Sequence, residues 1–158
     1  MKNGKLLIFS DSHGCTDAMR NKILTYSPDA VCHLGDYVAD AEKLRTVFPD
    51  IPFYSVKGNC DFCASAPSEL SFSVFGFKIF ACHGHNYYVK SGLISLCCAA
   101  EENEADICLF GHTHMPFLER RAGLTLLNPG ASGDFDGSCA LIEFFDGRFE
   151  AAVLNIKN

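Results

Sequence analysis

Apolar residues along this chain come in short runs, each followed by a helical pattern or a turn signal. Lys5 to Ser10 reads as a buried strand, and Thr16 to Tyr26 as a helix opening at Thr16 or Asp17. Pro28-Asp29 breaks that helix, and Ala30 to Leu34 makes a second strand. Ala39 to Phe48 predicts a second helix, stopped by Pro49, and Pro52 to Val56 a third strand. This strand–helix rhythm is that of right-handed βαβ units with a parallel sheet. The texture then changes. Glu69 to Val74 alternates polar and apolar, Gly76 follows, and Phe77 to Cys82 resumes, which predicts a hairpin. Val89 to Glu104 suits a helix and Asp106 to Phe110 another buried strand. Two more hairpins turn near Ala122-Gly123 and Asp146-Gly147. A βαβ first half joined to a hairpin-rich second half predicts two packed sheets with helices outside. No linker or internal repeat divides the 158 residues, so the expectation is one domain over 1–158.

Composition narrows the function classes. With 48% hydrophobic and 20% charged residues the chain carries enough apolar material for a core, which excludes a disordered or fibrous protein. The formal charge of −6 and the lack of any Lys/Arg run argue against gripping a nucleic-acid backbone. No apolar stretch approaches the ~18 residues of a membrane span, and Leu6 to Phe9 is too short for a signal-peptide core. The expectation is a cytoplasmic protein with no membrane partner, and homo-oligomerisation is left open. Nine cysteines invite a disulfide reading, but the count is odd. Cys32, Cys82, Cys97, Cys98, Cys108 and Cys139 sit in apolar runs, where thiols behave as small buried hydrophobes. Cys60 and Cys63 form one Cys-x-x-Cys, a weak zinc or redox signal without a second pair.

The chemistry-bearing residues recur at one kind of place. Asp11-Ser12-His13, Gly35-Asp36, Gly58-Asn59-Cys60-Asp61, His83-Gly84-His85 and Gly111-His112-Thr113-His114 each follow the end of a predicted strand. In open α/β sheets the segments beyond strand C-termini converge on one crevice. Carboxylate oxygens with imidazole nitrogens suit Mn, Fe, Ni or Zn, whereas thiolate-rich sets suit structural zinc. In Asp11-x-His13 alternate side chains point the same way, and His112-x-His114 repeats the spacing. The plausible ligands exceed what a single ion needs, which points to a two-metal centre. His33 reads as a hydrogen-bonded strand-end histidine rather than a ligand. Asp40 and Glu42 read as helix-capping or solvated groups, Asn128-Pro129-Gly130 as a turn, and Asp134 and Asp136 as solvated loop residues.

These five motifs, in this order, resemble the calcineurin-like metallophosphoesterase superfamily, and within it the small YfcE-type phosphodiesterases. The resemblance covers Lys5 to about Ser132 and implies a four-layer α-β-β-α sandwich of two mixed sheets. It also implies two divalent metal ions per chain, Mn2+ first, with Ni2+, Fe2+, Zn2+ or Co2+ as alternatives. By resemblance, Asp11, His13 and His114 hold the first ion, Asn59, His83 and His112 the second, and Asp36 bridges them. His85 would lie by the substrate phosphate. Many relatives carry a histidine, the general acid, where this chain has Cys60.

The activity so implied is hydrolysis of small phosphodiesters by a hydroxide activated at the dinuclear centre, with Asp36, Asn59, Cys60 and His85 as catalytic residues. Phosphomonoesters or dinucleoside polyphosphates are the alternative substrates. A nuclease would need basic surface that this chain lacks. The small retromer subunit shares the fold with part of its metal site lost, so a non-catalytic scaffold is the rival outside enzymes.

Overall fold

The computed structural model describes residues 2–158. In chain order the elements are β1 (Gly4–Phe9), α1 (Thr16–Tyr26), β2 (Ala30–His33), α2 (Val38–Val47) and β3 (Phe53–Ser55). Next come β4 (Glu69–Val74), β5 (Phe77–Cys82), α3 (Ile94–Glu102), β6 (Ile107–Leu109) and β7 (Phe117–Arg121). The chain ends with β8 (Leu124–Asn128), β9 (Ser138–Phe145) and β10 (Arg148–Asn155). One sheet runs β10-β9-β1-β2-β3 and the other β4-β5-β6-β8-β7. Strands β1, β2 and β3 pair in parallel, as do β5, β6 and β8, while the remaining pairs are antiparallel.

Side-chain alternation assigns the layers, because successive residues of a strand face opposite sides of its sheet. Leu6 and Ile8 of β1 join Ile79, Ile107, Leu109 and Leu127 in the core between the sheets. Leu7 and Phe9 face the other way and pack with Met19, Ile23 and Leu44 of α1 and α2. On the outer face of the second sheet, Leu96, Ala99 and Ala100 of α3 cover Phe80, Cys108 and Leu126. The layer order is therefore helix, sheet, sheet, helix, as the motif resemblance implied.

Two expectations need correction. The third helix begins at Ile94 rather than Val89, because Tyr88 (φ 53°) and Gly92 (φ 149°) hold the intervening segment in a turn. Its α-helix then ends at Glu102 rather than Glu104. Cys98 is exposed, and Cys97 is half-buried at the edge of the cluster that holds Leu96 and Ala99, whereas Cys32, Cys82, Cys108 and Cys139 are buried as read. The turns at Ala122-Gly123 and Asp146-Gly147 have positive φ at both positions, the twist that joins antiparallel strands tightly.

Candidate metal centre

All five motifs follow strand C-termini and meet where the two sheets come together. Asp11 and His13 follow β1, Asp36 follows β2, Asn59 follows β3, His83 and His85 follow β5, and His112 and His114 follow β6. Cross-links fix the loops to one another. The Asp11 amide donates to the Gly35 carbonyl, and the Gly111 amide to that of His83. The His112 amide donates to Asp11 Oδ2 at 3.2 Å, tying the two sheets together at the site.

Ligating atoms of Asp11, His13 and His114 lie within 4.8 Å of one another, and so do those of Asp11, Asp36 and His83. Asp11 thus belongs to both groups. Its Oδ2 accepts from Ser10 Oγ at 2.6 Å, leaving Oδ1 to face His114 Nε2 at 3.2 Å and His83 Nε2 at 3.8 Å. His83 Nδ1 lies 2.7 Å from the Leu34 carbonyl, which can only accept, so Nδ1 carries a proton and Nε2 is the nitrogen turned toward the carboxylates. His114 Nδ1 lies 3.4 Å from Asp134 Oδ2, an orientation that likewise turns its Nε2 inward. Asp11 Oδ1 and His83 Nε2 are both buried without a hydrogen-bond partner. A buried carboxylate oxygen and an imidazole nitrogen converging without hydrogen-bond partners leave a demand for positive charge, and their carboxylate–imidazole chemistry fits a divalent transition metal. Such outer partners fix the tautomer of a ligating histidine.

Backbone strain is concentrated in the same place. Asp11 (φ 52°), His13 (46°), Asp36 (56°), His112 (69°) and His114 (61°) all occupy the left-handed region that side-chain-bearing residues rarely adopt. Strain of this kind is retained where the fold over-determines it, and it collects at functional sites. Close approach dictates Gly58: a Cβ there would stand 2.1 Å from Asp36 Oδ1.

Electrostatics follow from the geometry. Burial works against ionising Asp36, but His83 and the Cys60 amide, which donates to Oδ1 at 2.9 Å, outweigh it and hold the carboxyl well below its usual range. Burial also disfavours protonated His83, yet Asp36 and Asp11 prevail and move its titration upward. Burial, then the neighbouring His83, moves His85 and His112 downward, toward the neutral imidazole a metal or an acceptor requires. At Cys60 desolvation, then Asp36, raises the thiol.

Not every expected residue sits in these two groups. His112 has its ring 5.1 Å from that of His83, and His85 lies 5.4 Å from the same ring, with its Nδ1 buried and unpartnered. Asn59 is exposed, and its amide nitrogen lies 3.6 Å from Cys60 Sγ. His33 is satisfied, as read: Nδ1 accepts from the Gly35 amide, and Nε2 meets Ser12 Oγ at 2.9 Å.

Asp40 corrects its reading as a helix cap or solvated group. It is buried and accepts from Ser12 Oγ at 2.7 Å and from the Gly14 amide at 2.8 Å, bracing the loop that carries Asp11 and His13. Asp134 is exposed as read, with its Oδ2 3.4 Å from His114 Nδ1. Buried Asn128 spans the His112–His114 loop through Gly111 O and Thr113 Oγ1, each at 3.0 Å. Asp61 accepts from the amides of Asp36, Val38 and Gly58, joining two of the site's loops. Asp61 stood in a motif and Asn128 in a segment shared with the resembled family; Asp40 and Asp134 lacked any sequence signal separating them from surface acids.

Layered fold and convergent carboxylate–imidazole groups together define a metal-binding hydrolase scaffold. The chain belongs to the calcineurin-like phosphoesterase superfamily, whose domain matches residues 5–146. It is 35% identical over 129 residues to the probable metallophosphoesterase YsnB of Bacillus subtilis, a span of 80% of this chain and 73% of that one. A conserved protein of Streptococcus pneumoniae, described as a predicted phosphoesterase, shares 30% identity with a TM-score of 0.84, over 99% of this chain and 91% of its own. Vacuolar Protein Sorting 29 from Cryptosporidium parvum shares the fold at TM-score 0.78 and 20% identity, over 97% and 98% of the two chains.

Proposed function

We propose that the protein hydrolyses small phosphodiesters with two divalent ions, Mn2+ first among the candidates. The observation that carries this reading is the buried, unpartnered Asp11 Oδ1 facing Nε2 of His83 and of His114. Asp11, His13 and His114 would hold one ion, and Asn59, His83 and His112 the other, with Asp36 between them. When bound, such a pair supplies Lewis-acid charge and a nucleophilic water at neutral pH.

The chain's own groups have separable tasks. Leu34 holds the Nδ1 side of His83, and Ser10 with the His112 amide engages Asp11 Oδ2, leaving Oδ1 as the oxygen that would ligate. His85 and the Asn59 amide would donate to the non-bridging phosphoryl oxygens as charge develops there. Cys60, kept as a thiol by desolvation and by Asp36, is the candidate donor to a departing alkoxide. With a formal charge of −6, the chain favours a small phosphoester over a nucleic-acid strand.

The test is metal-reconstituted hydrolysis of matched phosphate mono- and diesters, with elemental analysis of wild type and Asp36→Asn. Two metals per chain and diester turnover in wild type, both reduced in the variant, are expected. Metal binding without turnover of any ester would overturn the enzymatic reading in favour of a scaffold.

A further inference from the structure

Beside the metal centre lies a cavity of about 390 Å3, walled by Tyr37, Val38, Ala39, Phe62, Cys63 and Ala64 and floored by Cys60 and Asp61. It starts at the centre itself. The Cys60 amide is bonded to Asp36 Oδ1, and the Tyr37 ring stands 4.9 Å from that of His13. Its far end continues past Glu42 and Ser65 into a second hollow of about 260 Å3.

The walls say what it would hold. No lysine or arginine lines either hollow. Both Asp61 oxygens are engaged by the amides of Asp36, Val38 and Gly58, so the one carboxylate of the first hollow is already satisfied. An anionic group is therefore not the occupant.

Two aromatic side chains flank the opening, Phe62 almost wholly in solvent and Tyr37 packed edge-on against His13 with about half its surface open. Phe62 is 92% exposed, on a loop that Asp61 holds rigidly to the start of α2. Tyr37 is 47% exposed and sits at φ 67°, a left-handed backbone that costs strain in a tyrosine. Strained and solvent-exposed aromatic residues beside a catalytic centre are how folds present stacking surfaces.

We infer that this groove is the subsite for a planar aromatic substituent of the phosphoester, a nucleobase or an aryl ring, which stacks on Phe62 beside Tyr37 while the phosphate sits at the metal centre. The inference rests on the phosphoesterase reading above and adds the substrate's non-phosphate half. Size agrees, since ligand clefts of this kind span about 300–1,000 Å3.

The experiment uses the Mn2+-loaded protein and non-hydrolysable phosphonates, with binding followed by titration calorimetry. Phenylphosphonate should bind about tenfold more tightly than methylphosphonate, the scale of one ring stacking on an aromatic side chain. Phe62→Ala should erase that ratio and leave methylphosphonate affinity unchanged, while Phe62→Trp should keep it. Adenosine monophosphate against ribose 5-phosphate, run in parallel, distinguishes a nucleobase from a smaller aryl ring. Equal affinities for phenyl- and methylphosphonate, a ratio unmoved by Phe62→Ala, or an equal gain for hexylphosphonate would each overturn the aromatic subsite while leaving phosphate recognition intact. Failure of every phosphonate to bind would overturn the phosphoesterase reading itself, and the subsite with it.

Discussion

Replacing Asp11 with asparagine should make the metal-free protein more stable and the metal-loaded protein less so. Without metal, and at a pH above the upward-moved titration of His83, Asp11 Oδ1 meets His83 Nε2 and His114 Nε2 with no proton on His83 to share, and the Asp36 carboxylate lies in the same buried group. Two carboxylates within 4.8 Å repel by about 3 kcal/mol at an effective dielectric constant of about 20. The variant removes that repulsion and can turn its amide N–H toward His114 Nε2. Against this, the bonds from Ser10 Oγ and the His112 amide to Oδ2 lose their charge assistance, about 1 kcal/mol together. The net gain is about 1–2 kcal/mol. Unfolding entropy of about 2.1 cal/mol/K per residue gives about 0.33 kcal/mol/K for 158 residues, so the apo Tm should rise by about 3–6 °C. Metal at a hundredfold excess over Kd should raise wild type by about 2.7 kcal/mol, or roughly 8 °C for one site, and the variant by far less. Differential scanning calorimetry with chelator and with Mn2+ reads both effects. If the apo variant melts several degrees below wild type, the converging lone pairs carry no cost. If Mn2+ lifts both proteins equally, Asp11 is not a ligand.

Three further outcomes follow from particular contacts. Gly58→Ala should cost about 1–3 kcal/mol and lower metal stoichiometry, because its Cβ would collide with Asp36 Oδ1; denaturant unfolding with elemental analysis checks it. Burial lowers the His33 pKa from 6.5 to about 4, so the unfolded chain takes up a proton on His33 in that range before the native one does. Stability from this group is therefore complete above pH 6.5 and falls by about 3 kcal/mol as the pH drops to about 4; urea midpoints for His33→Gln should show a flatter acid limb, and an unchanged limb would sink the assignment. Cys60→His should raise kcat/KM on alkyl-leaving diesters more than on aryl-leaving ones, since an alkoxide needs a proton that a nitrophenolate does not. An aryl-to-alkyl ratio shared by wild type, Cys60→His and Cys60→Ala would make Cys60 structural.

Periodicity and turn chemistry are local, and for that reason the helix at Thr16–Tyr26 and the hairpin strands Glu69–Val74 and Phe77–Cys82 were legible to the residue. The ordered motifs at strand ends were legible too, and they carried the family and the layered architecture. The start of α3 was not, because nothing local in Val89 to Leu93 shows that Tyr88 and Gly92 adopt positive φ. Nor was Asp40, whose partners Ser12 and Gly14 lie 28 and 26 positions away and meet it only when α2 packs beside β1. The sequence by itself determined which side chains are available to hold metal, since donor chemistry is a property of the residue. Only the tertiary structure decided that Asp11 belongs to both groups of ligating atoms and that Oδ1 is its free oxygen. Those facts depend on where separate loops arrive and on which amides and hydroxyls claim the other lone pairs first.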